Sequence, residues 1–345
     1  MAVGDLAKTG VQSVLGYFPE TTYGTNAVTT TAIRAIEPTS IGVVTKFDTV
    51  KFDTLSRHRG FTHQAQMNKM VEGPVDTFLH PEETLDLFIN AMGGNYTFTS
   101  LTSAGDHSIS TGNFATTDTL TSFSLFVRKG DTHSWRITGA VVNSLKVSAA
   151  IGEPVKVTAE FVAQNSSMSA ADNLQNNMSI STIAPLVYAD GTYRYDATEA
   201  SLTSSVAEPI QAFELEINNN LVTDEKNRQL GIRTISGRPP ALRREINFKA
   251  SMRFDTTTTF DRMVSNTAGA AQLVFDGTTI TAEYQRRVTI TMPNVRIKNT
   301  DPVVEGADSV LQSEMEFDVI LSGDSATATS REIGMTWRNA VTAKR

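Results

Sequence analysis

The chain of 345 residues has no cysteine, so a disulfide framework and thiolate metal sites are both excluded. Nor does it hold any run of about 18 apolar residues, the length a membrane-spanning helix requires. The start, MAVGDLAKTG, lacks a basic segment followed by an apolar stretch, and the expectation is a protein without a secretory leader that stays in a cytoplasm-like compartment. Positive charge is in deficit: 30 Lys and Arg stand against 37 Asp and Glu, a net charge of -7. Gripping nucleic acid by neutralising phosphates needs the opposite balance. The GxGxxG, P-loop, HExxH and GxSxG patterns are missing as well. His58 and His63 stand near Glu72, but in a segment that reads as a hairpin, without the spacing of two ligands on a helix face. Asp106-His107-Ser108 and the Asp131, His133, Ser134 group contain triad residue types, yet neighbours in sequence rarely converge as a triad. The expectation is a protein with no enzymatic activity, no cofactor and no metal.

What is present is alternation. Strands are expected near Val43 to Phe52 and Phe61 to Val71, joined by a polar tip around Leu55 to Gly60. A helix follows: Pro81 suits a first helical position, Glu82 and Glu83 suit the positive end of the dipole, and Leu85, Phe88, Ile89 and Met92 form one apolar stripe. Further strands run from Thr121 and from Trp135. Leu145, Val147 and Ala149 then alternate with polar neighbours, Gly152 to Pro154 turns the chain, and Val155 to Phe161 alternate again.

The second half repeats this order. Phe213, Leu215 and Ile217 alternate toward a long polar tip, Asn218 to Leu242, and Ile246, Phe248, Ala250, Met252 and Phe254 alternate on the return. Phe260, Met263 and Val264 mark a second helical stripe, followed by strands and a last alternating arm from Leu311 to Leu321. The expected fold is mainly β with short helices: two tandem β-sandwich or partial-barrel domains, each flanked by one α-helix. The expected boundaries are an N-terminal arm at 1–39, a first domain at 40–165, a linker at 166–207, a second domain at 208–330 and a C-terminal arm at 331–345.

The segments Gly139 to Phe161 and Phe213 to Leu221 resemble phage tail tube proteins, the major tail proteins of bacteriophages. The resemblance spans about residues 40 to 330. It implies β-sandwich domains that assemble into stacked rings, with inner strands forming a continuous barrel around a DNA channel. Simple members with one domain form rings of six, so a duplicated chain implies rings of three. It implies a virion tail location after assembly in the host bacterial cytoplasm. It also implies contacts with a tape measure protein, distal tail or baseplate proteins and a tail terminator, and DNA passing without specific binding. Alternatives are a β-sandwich binding module of a virion or cell surface, and a tube subunit of a related bacterial injection machine.

Two residue sets follow. Glu214, Glu216, Asn247 and Lys249 fall on the face opposite the apolar residues of their strands and are expected to line the lumen. Arg57, Arg59, Arg233, Arg238, Arg243 and Arg244 cluster at the two tips, where planar guanidinium groups suit carboxylates of an adjacent ring. The second tip is expected to be mobile in a free subunit.

Overall fold

In a computed structural model, residues 13–27, 33–53, 60–93, 95–112, 120–130, 133–169, 178–253, 258–300, 312–323 and 330–342 are described. The N-terminal half carries β1 (Val14–Pro19), β2 (Ile33–Ile36), β3 (Pro38–Ile41), β4 (Val44–Phe52), β5 (His63–Phe78), α1 (Leu85–Met92), β6 (Asn95–Ser100), β7 (Gly105–Ser110), β8 (Phe123–Lys129), β9 (His133–Ala150), β10 (Lys156–Ala163) and β11 (Asn165–Ser169). After β12 (Met178–Ser179) come β13 (Gly191–Asp196), β14 (Ala207–Glu208), β15 (Ile210–Asn218), β16 (Glu245–Arg253), α2 (Thr258–Val264), β17 (Gly269–Thr279), β18 (Gln285–Asn299), β19 (Gln312–Val319) and β20 (Gly334–Asn339). Mainly β with two short helices, this is the class that the alternation implies.

The pairings repeat. In the first half β4 pairs β5, β5 pairs β10, β10 pairs β9, and β9 pairs β8. In the second half β15 pairs β16, β16 pairs β19, β19 pairs β18, and β18 pairs β17. Each half adds an outer pair, β1 with β2 against β8, and β13 with β14 against β17. Of these outer strands, β1 and β2 lie in the expected arm and β13 in the expected linker, while β14 straddles the expected start of the second domain. Short strands such as Ala207–Glu208 leave too few alternating residues for a period to be read.

One long strand turns the first half into a sandwich. The first part of β9 pairs β8 and β11, its last part pairs β10, and the chain bends between them at Gly139, with φ of 66°. A side chain there would be strained and would meet Gln164 and Tyr23. Glu20 holds the bend: its carboxylate accepts from Gly139 N at 2.8 Å and from the hydroxyls of Ser122 and Ser124 at 2.8 and 2.7 Å. The core lies between the two layers so formed. Phe248 occupies its centre in the second half, its ring 5.2 Å from Phe317 and 5.8 Å from Tyr193.

The helices differ from expectation in start and in burial. α1 begins at Leu85, after a turn through residues 81–84, so Pro81, Glu82 and Glu83 precede the helix. Pro81 O instead accepts from Trp337 Nε1 at 2.6 Å, and Glu82 pairs with Arg286 at 2.7 Å. Leu85, Phe88 and Met92 are fully buried, and Ile89 packs against the same cluster. In α2 only Met263 packs on the core; Phe260 is 36 % and Val264 68 % exposed. The expectation that all three are core residues fails because a helix of seven residues lies on β18, with its stripe turned past the sheet.

Candidate assembly surface

The sheets of the two halves join. β9 pairs β15 antiparallel over seven residue pairs, from Ala150 with Ala212 to Ser144 with Asn218. The result is one sheet of eight strands ordered β4, β5, β10, β9, β15, β16, β19, β18. Its inner face meets the core through Val147, Val157, Leu215 and Phe248. Glu214, Glu216, Asn247 and Lys249 all lie on the other face, as the alternation requires.

That opposite face is charged on nearly every strand. Glu72, Asp76, Glu160, Glu314, Glu316 and Asp318 join Glu214 and Glu216, with Lys46, Lys146, Lys156 and Lys249 among them. Ion pairs cross the strands: Lys46 with Glu72 at 3.0 Å, Lys146 with Glu214 at 2.7 Å and Lys249 with Glu316 at 2.6 Å. The hydrogen bond between the last two holds Lys249 above the usual lysine range and Glu316 below the usual carboxylate range. Both stay charged near neutrality. Exposed pairs of this kind add little stability, so their main effect is on the face itself, where the carboxylates outnumber the cations even with Arg253 and Arg296 counted among them.

The seam between the halves is closed at one end by polar groups. Asn219 Nδ2 donates to Ala91 O at 2.9 Å and to Val142 O at 3.0 Å, and Arg244 Nη2 donates to Met92 O at 3.0 Å. Arg244 also pairs with Glu332 at 3.2 Å, and its side chain is 8 % exposed. It therefore caps the negative end of α1 and is unavailable to an adjacent ring, which corrects the expectation made for it.

The rest of the arginine set divides. Arg57 and Arg59 lie outside the described residues. Arg238 lies over the Tyr23 ring, 5.9 Å from its centre. Arg233 and Arg243 are exposed. The tip that carries them is docked, contrary to the expectation of mobility. Lys69 N donates to Arg233 O at 2.8 Å, Gln164 Nε2 donates to Ile235 O at 3.2 Å, and Ile235 is buried. Those are backbone acceptors and one apolar anchor, which a count of polar residues does not reveal.

The Asp106-His107-Ser108 group is structural. His107 is buried between Tyr96 and Asn339, at 2.8 and 3.1 Å, while Asp106 forms a two-point pair with Arg338 at 2.6 and 2.8 Å. His58 lies outside the described residues. Among the described residues no group of three or more His, Asp or Glu is placed to hold a metal, and no helix is long and apolar enough to cross a membrane.

Sequence reasoning missed the apolar surface of the first hairpin. Phe47, Val50, Phe52 and Met67 are each 43 to 48 % exposed on β4 and β5. Phe47 stands at odd parity and Val50 and Phe52 at even parity, so apolar residues lie on both faces of one strand. Apolar residues at both parities of one strand were the available signal.

Comparison with known proteins places this arrangement. No curated protein matches the chain. A solved Hcp protein aligns at 11 % identity over 41 % of this chain and 95 % of its own, with a TM-score of 0.25. The family model described as phage tail tube protein matches residues 10–319, a span that takes in both halves and the seam between them. The chain belongs to the phage tail tube protein family, whose members are structural components of the virion tail.

Proposed function

We propose that three copies of this chain close into one ring of a tail tube and that the rings stack around a channel for DNA. The observation that carries this reading is the eight-stranded sheet. Two repeated sets of four strands are already joined edge to edge within one chain by β9 and β15. The sheet has open ends: β4 lies at one, and at the other Arg296 to Lys298 of β18 have a strand neighbour on the β19 side alone among the described residues. An open edge is an aggregation hazard that closure removes. Three copies supply about 24 strands, more than the roughly 16–18 that already leave an aqueous channel.

The charged face of the sheet then lines the lumen. Its surplus of carboxylates repels phosphates and releases no counterions, so duplex DNA slides past without binding. Tape measure, terminator and distal tail proteins are the contacts this role requires at the tube's interior and ends. The test is native mass spectrometry with electron microscopy of the purified protein. The expected smallest ring has three times the 37.4 kDa of one chain and a hollow centre. A ring of six chains, or monomers at every concentration, would defeat the reading.

Stacking is assigned to the exposed arginines of the second tip. Replacing Arg233 and Arg243 together by serine is expected to leave the melting temperature unchanged and to shorten the tubes seen by electron microscopy. Arg244→Ser is the contrast. It leaves Met92 O and Glu332 without a donor inside the subunit and should cost about 1–3 kcal/mol of stability. Normal tubes from the double variant would show that those two arginines are only solvated.

A further inference from the structure

We infer that the β4–β5 hairpin of a second copy covers the exposed apolar stripe of α2, in the place where the chain's own second tip covers the end of α1. This rests on the ring reading above and adds the identity of the surfaces that meet.

The strand registers fix the correspondence. A bulge interrupts the pairing of β10 with β9 at Glu160 and Phe161 and that of β19 with β18 at Glu316 and Phe317, which sets Ala159 against Met315 and so their partners Val75 and Ala250 against each other. Six residues further toward the tip, Phe47 stands where Asn219 stands, and Lys69 where Arg244 stands. The helix ends correspond too. Gly93 and Asn266 both follow the last turn with positive φ, 60° and 50°, which sets Ala91 against Val264.

Within the chain, Asn219 donates to the carbonyl of Ala91 and Arg244 to that of Met92. The same geometry repeated between copies places Phe47 over Val264. The chemistry changes with the residues. An amide that satisfies a carbonyl is replaced by an aromatic ring, and a helix end sealed by polar groups is replaced by one with 68 % of Val264 still open. Phe47, 43 % exposed, and Val264 are the apolar groups left uncovered at the two matching positions. Burying each against the other removes both from water. A partner of other chemistry has no such register in its favour.

The test uses the absence of cysteine in the chain. Phe47→Cys and Val264→Cys are introduced together, and assembled protein is treated with a short bismaleimide, then run on a denaturing gel. The expected product is a covalent band of three copies, absent from either single variant. Rings that form without cross-linking would overturn this inference and leave the ring reading intact. A ladder running past three copies would place the partner in the next ring and overturn it too. Monomers throughout would end both. Val264→Arg, on a surface exposed in the subunit, keeps the variant folded by circular dichroism and is expected to lower the ring population about tenfold or more. Undiminished ring formation by a folded Val264→Arg protein would equally overturn it.

Discussion

Phe88→Ala should destabilise the subunit by about 3–5 kcal/mol, the cost of removing a fully buried aromatic ring. Phe88 is 0 % exposed and its ring lies 5.3 Å from that of Trp337, which β20 brings against α1. The void left behind has little freedom to collapse. α1 is pinned from three directions: Asn90 Oδ1 accepts from Val142 N at 2.8 Å, the carbonyl of Ala91 accepts from Asn219, and Asp86 pairs with Arg34 at 2.6 Å. Each of these would have to shift to fill the space. Urea denaturation followed by tryptophan fluorescence measures the loss, with Phe260→Ala as the control. Phe260 is 36 % exposed on α2, and its truncation should cost about 1–2 kcal/mol in the free subunit. Equal losses for the two variants would refute the difference in burial between the helices.

A proline on the open edge of β4 should abolish ring formation while sparing the fold. Successive residues of an edge strand direct their N–H groups alternately to the paired side and to the open side. Of Thr45→Pro and Lys46→Pro, one therefore removes a donor that β5 uses and the other a donor that only a neighbouring chain can use. The first should unfold the hairpin. The second should give a monomer with the parental circular dichroism spectrum that forms no tubes at any concentration. If the folded variant made tubes of normal length, β4 would not be the edge at which copies join.

How much was legible follows from what each residue must do alone. Phe213, Leu215 and Ile217 alternate because each faces the same core, and period-two patterning survives without knowledge of the partner strand. The stripe of α1 was legible for the same reason. The stripe of α2 has the same spacing, but spacing records that residues share a face and is silent on whether anything covers it. Arg244 shows the limit for charge. Its neighbours Arg243 and Glu245 are exposed, and only the fold reveals that its side chain turns inward to Met92 and Glu332. The seam had a faint signal, since Glu216 stands opposite Lys146 across β15 and β9. Such complementarity identifies a pair only once both strands are known to be neighbours.

The seam has a kinetic consequence for the proposed ring. Of its six junctions between sets of four strands, three are made inside single chains before any encounter, at the high effective concentration that a tether provides. A nucleus then depends on the third power of subunit concentration, where separate single-domain subunits would require the sixth. Nucleation at low expression becomes feasible, and the junctions divide into two kinds that selection can tune apart. The tethered kind can be permanent, as the hydrogen bonds of Asn219 and Arg244 make it. The other kind can remain weak enough for a growing tube to discard a subunit that arrives in the wrong orientation.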